Sequence, residues 1–231
     1  MKKLKFLLIA ILFISIISCS KDEQQNNITT VVTNETTAAN SETTFTTIKI
    51  SGKVIATEGT TILSRGICWS TNPNPTIENN IATSETNIFS HTITNLTANT
   101  TYYFRIYAID SNGVIYSENE SFSTLSLENT VWELTTYYPQ TTDFKIISRL
   151  DLFQDGTTRF DELDLPLQCS GCFITYGTWT LNGNILTYIW EGNDPNTSTY
   201  VYTGTISGMN ITGSYDHSQL ENGIWTASIL N

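Results

Sequence analysis

Positive charge and strong helix formers are both scarce in this sequence. Lys and Arg number 11 against 22 Asp and Glu, which gives a formal net charge of −11. No basic stripe occurs after the first five residues, and this argues against a nucleic-acid partner because phosphate binding needs clustered Lys and Arg. Ala and Lys are sparse, whereas Thr, Asn, Ile and Tyr recur throughout. Since these frequent residues favour strands and turns, the composition predicts an all-β protein.

The sequence also lacks the usual catalytic constellations. It has only two histidines, and we expect His91 in a strand of a first domain and His217 in a loop of a second. Nucleophilic catalysis needs a Ser or Cys, a His and an orienting acid close together. No Gly-x-Ser-x-Gly elbow and no Gly-rich phosphate loop occurs. The sequence therefore predicts a protein that is not an enzyme and that has no cofactor.

Two groups of carboxylates are candidates for an acid-base or metal site. Asp161, Glu162 and Asp164 are close in sequence, as are Asp151 and Asp155. Glycoside hydrolysis needs two carboxyls that face each other across a cleft, whereas a run in one loop usually points to solvent. Solvated loop charge is the expectation, with weak calcium binding and catalysis as alternatives, because no further ligands are apparent. No metal site is predicted.

No apolar run is long enough to span a bilayer, which takes about 20 residues. The longest, Phe6–Ile17, has 12 residues, follows three lysines and contains one serine. The end of this signal, Ile16-Ile17-Ser18-Cys19, resembles the lipobox of bacterial lipoproteins. That resemblance implies a signal peptide over residues 1–18 and lipidation of Cys19, hence a membrane partner. The alternative is an ordinary secretory signal that leaves Cys19 for a disulfide.

The residues after Cys19 suggest an address and a tether. Ser20-Lys21-Asp22-Glu23 resembles the short signal that sends lipoproteins of the Bacteroidota to the outer face of the outer membrane. The resemblance implies a lipid-anchored protein that faces the cell exterior, while a solvated charged tether is the alternative. Residues 19–41 are rich in Gln, Asn, Thr and Ser and are expected to be a flexible stalk.

Residues 42–125 show short alternating apolar runs separated by turn signals, which predicts a sandwich of antiparallel strands. The expected strands are 44–56, 62–70, 87–96, 100–110 and 114–124. The segment from Leu96 to Tyr102 resembles the corner before the sixth strand of fibronectin type III domains, with Leu96 in the core and Tyr102 as corner tyrosine. Arg65–Ser70, followed by Asn72–Thr76, resembles the version of this domain found in Bacteroidota surface proteins, with Trp69 as the core aromatic. No Arg-Gly-Asp tripeptide is present, so integrin-type binding is not implied.

Residues 128–231 predict a second unit of about eight strands in up-and-down order. The expected strands are 132–137, 145–153, 157–163, 175–181, 185–190, 199–206, 210–215 and 223–230. Asn182-Gly183 is the strongest hairpin signal between them. Trp132, the turn Phe153–Thr157, Gly177–Trp179 and Gly223–Trp225 resemble the lipocalin-like domains of bacterial lipoproteins. That resemblance implies a meander or closed barrel, which has room for one small ligand.

Three further cysteines are candidate reactive groups. Cys169-Ser170-Gly171-Cys172 predicts a local disulfide in an oxidising exterior, with zinc binding and redox catalysis as alternatives. Cys68, beside Trp69, is expected to be a buried small hydrophobe.

Aromatic residues of the second unit are the candidate ligand-binding residues. Tyr188 and Trp190 share a face of one predicted strand, and Tyr200 and Tyr202 share a face of the next. Such rings pack a core, stack on a sugar or line a pocket. The sequence thus favours a non-enzymatic cell-surface lipoprotein that recognises a glycan, a small apolar ligand or a surface protein through its second domain. The alternatives are a carrier that holds a small apolar ligand inside the barrel and an accessory protein of glycan capture.

Overall fold

The computed structural model describes residues 30–32, 43–138, 145–163, 174–191, 199–217 and 222–230. Sixteen strands and no helix occur among these residues, which confirms the all-β prediction. Within the same ranges, no helix is present that could cross a membrane. The strands are β1 (Thr30–Val32), β2 (Ile48–Ile55), β3 (Ser64–Ser70), β4 (Asn80–Thr83), β5 (Ile88–Ile93), β6 (Thr101–Asp110), β7 (Gly113–Tyr116), β8 (Glu120–Ser123), β9 (Thr130–Tyr137), β10 (Lys145–Leu152), β11 (Thr157–Glu162), β12 (Ile174–Asn182), β13 (Ile185–Glu191), β14 (Thr199–Ser207), β15 (Asn210–His217) and β16 (Gly223–Ile229).

Strands β1–β8 form the N-terminal unit, which has two sheets. One sheet has the order β1-β2-β5, and in the other β4-β3-β6 continues with β7 and β8, which both pair with β6. Alternate residues of the long strands are buried, as in β2, where Ile48, Ile50 and Val54 lie in the core. This two-residue period places one face of each sheet against the other. The predicted sandwich is confirmed.

The predicted corner of this unit has the expected geometry. Leu96 is buried, and the hydroxyl of Tyr102 accepts a hydrogen bond from the backbone N–H of Thr97 at 3.0 Å. Trp69 packs against the core but stays partly exposed. The tyrosine therefore ties the chain that enters β6 to the residues just before it.

The structure differs from the sequence prediction at three places in this unit. Residues 30–32, expected in the flexible stalk, form β1, which pairs with β2. A short edge strand, β4, was not predicted, because its four residues show no alternation of large apolar side chains. The single strand expected over 114–124 is two strands, β7 and β8. Between them Ser117 is buried and accepts the Ile106 N–H through its Oγ at 2.9 Å, so a side chain replaces a backbone partner.

Strands β9–β16 form a closed antiparallel barrel in which each strand pairs with the next and β16 pairs with β9. All eight were predicted within about two residues of their observed ends. The tight turns contain Gly156, Gly183 and Gly208, and each has a positive φ, of 81°, 60° and 61°. Such backbone conformations favour glycine, which explains why these turns are visible in the sequence. The up-and-down barrel is confirmed.

The barrel has two unlike ends. At the turn end, connections of two to four residues join β10 to β11, β12 to β13 and β14 to β15. At the far end, the connections are residues 138–144, 163–173, 192–198 and 218–222. The names "turn end" and "far end" are used below in this sense.

The N-terminal unit covers the turn end. Phe45 is fully buried in the core of the barrel, where its ring centroid lies 5.4 Å from that of Trp132. Asn184 donates to the Leu96 carbonyl at 2.7 Å and accepts from the Ala98 N–H at 3.2 Å. A segment before β2 therefore completes the core of a barrel that begins about 85 residues later in the chain.

Candidate functional site

The four predicted ligand-binding aromatics all point into the barrel. Tyr188 pairs with Tyr202, and Trp190 pairs with Tyr200, in the register of β13 and β14. Leu186 and Ile206, on the same alternating faces of these strands, are buried in the barrel core. The four rings therefore line the interior and do not form an exposed strip on the outer face.

The interior rings form two stacked rows. In the outer row, nearer the far end, Trp190 lies 4.2 Å from Tyr200 with the rings 4° from parallel, and 6.0 Å from Phe160 with the rings 12° from parallel. In the inner row, Tyr202 lies 4.4 Å from Tyr188 and 5.2 Å from Tyr215. Stacked rings cover one another's faces, so their edges remain to meet the interior. In Tyr and Trp these edges carry hydroxyl and N–H groups.

The four interior rings differ in their exposure to solvent. Tyr188 is 0% exposed and Tyr202 is 3% exposed, which makes the inner row part of the core. Trp190 and Tyr200 also point inward, yet they are only partly buried. The structure thus divides the predicted set into two core residues and two residues that a ligand entering at the far end would contact first.

Several polar atoms of the interior have no hydrogen-bond partner among the residues that the structure describes. They include the hydroxyls of Ser148, Thr158, Thr175 and Tyr215, and the indole N–H of Trp190. Ser148 and Thr158 are 0% exposed, and Thr175 is 6% exposed. A buried hydroxyl without a partner costs about 1–3 kcal/mol. An interior with several such groups is suited to a ligand that supplies hydrogen bonds.

One carboxylate faces the same interior. Glu162 ends β11 opposite Ser148 of β10, and the two lie on the face that buries Phe160 and Leu150. Burial raises the pKa of Glu162. Burial, together with the nearby Tyr215 and Glu162, raises the pKa of Tyr138 to about 12. The Tyr138 phenol therefore stays protonated at neutral pH and keeps its O–H available as a hydrogen-bond donor.

Of the other carboxylates in the prediction, Asp155 is exposed in a turn, as expected, and Asp164 lies outside the described residues, but Asp151 and Asp161 are not solvated loop charges. Asp151 and Asp161 are buried on the outer faces of β10 and β11, where Arg159 lies 3.4 Å from the first and 3.1 Å from the second. Arg149 donates to Asp151 at 2.8 Å. The expectation of a loop was wrong because the strand period continues through Asp161. This arrangement uses the carboxylates as ion-pair partners.

The remaining predictions for reactive groups have mixed outcomes. Cys68 is fully buried, and burial raises its pKa to about 11, which confirms the prediction of a buried small hydrophobe. Cys19, Cys169 and Cys172 lie outside the described residues, so the predicted lipidation and disulfide stay predictions. His91 lies in β5, while His217 is the last residue of β15 and not part of a loop. No cluster of three or more metal-ligating side chains occurs in the described ranges.

A second concave surface lies at the turn end. This groove of about 500 Å³ runs between the N-terminal unit and the barrel, and Glu128 is its one ionisable lining residue. The Trp179 indole on its wall donates to the Phe153 carbonyl at 2.8 Å. The groove therefore belongs to the contact between the two units, and the candidate site is the far end of the barrel.

Sequence reasoning missed several residues of this site. They are Tyr138, Ser148, Phe160, Glu162, Thr175 and Tyr215. The signal that identifies them is the alternation of faces once the strand register is known. Glu162 in particular lies in a charged run with Asp161, but successive strand residues face opposite sides of the sheet, so Glu162 points inward and Asp161 outward.

Fold and site together define an all-β protein of two units, whose closed barrel has an aromatic and polar interior in which Trp190 and Tyr200 remain partly exposed. Comparison with family models, curated proteins and solved structures finds no match to this chain. The functional conclusion consequently depends on the geometry of the site.

Proposed function

We propose that this protein is a non-enzymatic lipoprotein of the cell surface whose C-terminal barrel captures a small ligand through the far end. The observation that carries the proposal is the position of Trp190 and Tyr200, which point into the barrel and remain partly exposed. A protein that binds a polymer chain needs aromatic rings on an exposed outer face. Interior rings at an accessible end suit a small molecule.

The unpartnered hydroxyls also bear on the kind of ligand. The sequence suggested an apolar one, but Ser148, Thr175 and Tyr215 place polar atoms beside the rings. A purely apolar ligand would leave these groups without partners, whereas a ligand with polar groups satisfies them. The proposed ligand is therefore small and amphipathic, with an apolar body and at least one hydrogen-bonding group.

The absence of catalysis is part of the proposal. Asp151 and Asp161 are occupied by Arg149 and Arg159 on the outer face of the barrel. Glu162 is the one Asp or Glu among the described residues that faces the interior, so no second carboxylate lies opposite it there.

The binding test uses the full chain and a set of small aromatic compounds that are neutral, cationic or anionic, with short fatty acids and simple sugars added. Binding is measured by calorimetry. Trp190→Ala and Tyr200→Ala are expected to weaken binding of any retained compound by about 1 to 3 kcal/mol, roughly 5- to 150-fold, because each removes a ring that contacts the ligand.

The matched control is Tyr176→Ala, since Tyr176 is 67% exposed on the outer face of β12. Its binding should equal that of the native protein. Failure of the whole set to bind, or equal loss in the control, would contradict the proposal.

The anchor is tested separately. Replacing Cys19 by Ala is expected to release the protein from membranes or to block its maturation, because no lipid can then be attached. Detergent-phase partitioning of cell extracts measures this. A variant that partitions like the native protein would contradict the lipoprotein part of the proposal.

A further inference from the structure

A single acidic side chain of the described strands lies on the inner side near the far end. Glu162 is the one Asp, Glu, Lys or Arg among the described residues that point into the barrel. Arg149 and Arg159, on the same two strands, point to the outer face and pair with Asp151 and Asp161. Lys145 also lies on the outer face, where it is exposed.

Independent evidence for a ligand comes from the hydroxyls beside Glu162. Ser148 lies directly opposite Glu162 in the register of β10 and β11, and its buried Oγ has no partner among the described residues. Thr175 lies opposite Phe160 on the next strand, and its Oγ1 is likewise buried and unpartnered. These oxygens and the carboxylate are all acceptors, while a primary ammonium group offers three donors.

We infer that the ligand of the barrel is a small primary amine whose protonated nitrogen is bound by Glu162 and Ser148, with its apolar body among the interior rings. The inference rests on the proposed function and specifies the ligand class. A protonated amine supplies a positive charge that pairs with the partly buried Glu162 carboxylate. It also supplies N–H groups that donate hydrogen bonds to the hydroxyl oxygens. A ligand carboxylate would instead face Glu162 in a partly desolvated site and is rejected.

The test compares three probes of similar size that differ in charge: 2-phenylethylamine, 2-phenylethanol and 3-phenylpropionate. Binding to the full chain is measured by calorimetry at neutral pH. The amine is expected to bind at least about tenfold more tightly than the alcohol, since a charge-assisted hydrogen bond contributes about 1.5–3 kcal/mol. The propionate is expected to bind more weakly than either.

Glu162→Gln should remove the preference for the amine over the alcohol. The matched control is Glu133→Gln, because Glu133 is exposed on the outer face of β9. It should bind all three probes as the native protein does. Loss of amine preference in both variants would indicate a general charge effect and would overturn the assignment to Glu162.

The outcomes separate this inference from the proposed function. Tighter binding of the propionate than of the amine would overturn the inference and leave a ligand-binding barrel. The inference is also overturned, and a ligand-binding barrel remains, if none of the three probes binds but a compound of the wider set does. If neither set binds, both the inference and the proposed function are wrong.

Discussion

Ser148 carries an uncompensated hydroxyl in the barrel interior, because it is fully buried and its Oγ has no described partner. Removing such a group removes its desolvation cost. Ser148→Ala is therefore expected to increase the free energy of unfolding by about 1 kcal/mol, measured by urea titration without ligand. The same change should weaken ligand binding.

The control for this variant is Ser228→Ala, at an exposed position of β16, which should change stability by less than about 0.5 kcal/mol. A clear loss of stability in Ser148→Ala would show that the hydroxyl is satisfied in the native protein.

Glu162 gives a pH-dependent prediction whose sign follows from burial. Its pKa is raised, so in the window between the ordinary and the raised pKa the native protein binds more protons than the unfolded chain. Stability therefore falls as pH rises through that window. Glu162→Gln does not titrate and is expected to melt at a higher temperature than the native protein at neutral pH.

The gain in melting temperature should disappear at about pH 4, where Glu162 is largely protonated in both the folded and the unfolded chain. Thermal melts at the two pH values measure the difference. A variant that is less stable than the native protein at neutral pH would indicate that the carboxylate makes a stabilising contact.

At the scale of the elements, the inner faces of β14–β16 depend on small residues opposite large ones. A Cβ on Gly204 would lie 2.5 Å from Cζ2 of Trp225 and 2.7 Å from Cγ2 of Ile211, both of which are buried. Neither neighbour has room to withdraw. Gly204→Ala is expected to reduce the free energy of unfolding by about 1–3 kcal/mol in a denaturant titration.

Thr203→Ala, at the exposed neighbouring position, is the control for this change, with an expected effect below about 0.5 kcal/mol. Equal effects at both positions would show that strand propensity, and not interior crowding, determines the result.

At the scale of the whole molecule, the two units share a core through Phe45. Its ring contacts Trp132, and Thr46 accepts the Gly208 N–H at 2.7 Å in the adjacent turn. Phe45→Ala is expected to destabilise the barrel by about 3–5 kcal/mol, because it leaves a cavity at the turn end. Calorimetry should then resolve separate transitions for the two units, whereas a single transition is expected for the native protein.

Leu63→Ala is the matched control, since Leu63 is 67% exposed and its loss should leave the melting profile unchanged. An unaltered barrel transition in Phe45→Ala would contradict the shared core.

The same contact sets the direction of the binding end. The N-terminal unit covers the turn end of the barrel, so the far end is the end turned away from that unit. In the proposed lipoprotein the anchor precedes the N-terminal unit in the chain. The site at the far end would then face away from the membrane, where a small ligand arrives by diffusion.

The sequence by itself determined the eight barrel strands and their order, because period-two alternation and glycines at positive φ are local properties of the chain. It also determined the corner at Tyr102, whose partner Thr97 is five residues away. Tertiary structure decided which face of β13 is inside, since both Tyr188 and Ile189 suit a buried strand. Closure of the barrel pairs β16 with β9, and only this long-range pairing directs Tyr188, Trp190 and Glu162 into one interior. Tertiary structure also decided the burial of Phe45 in the barrel core, because this burial depends on packing between segments that are far apart in the sequence.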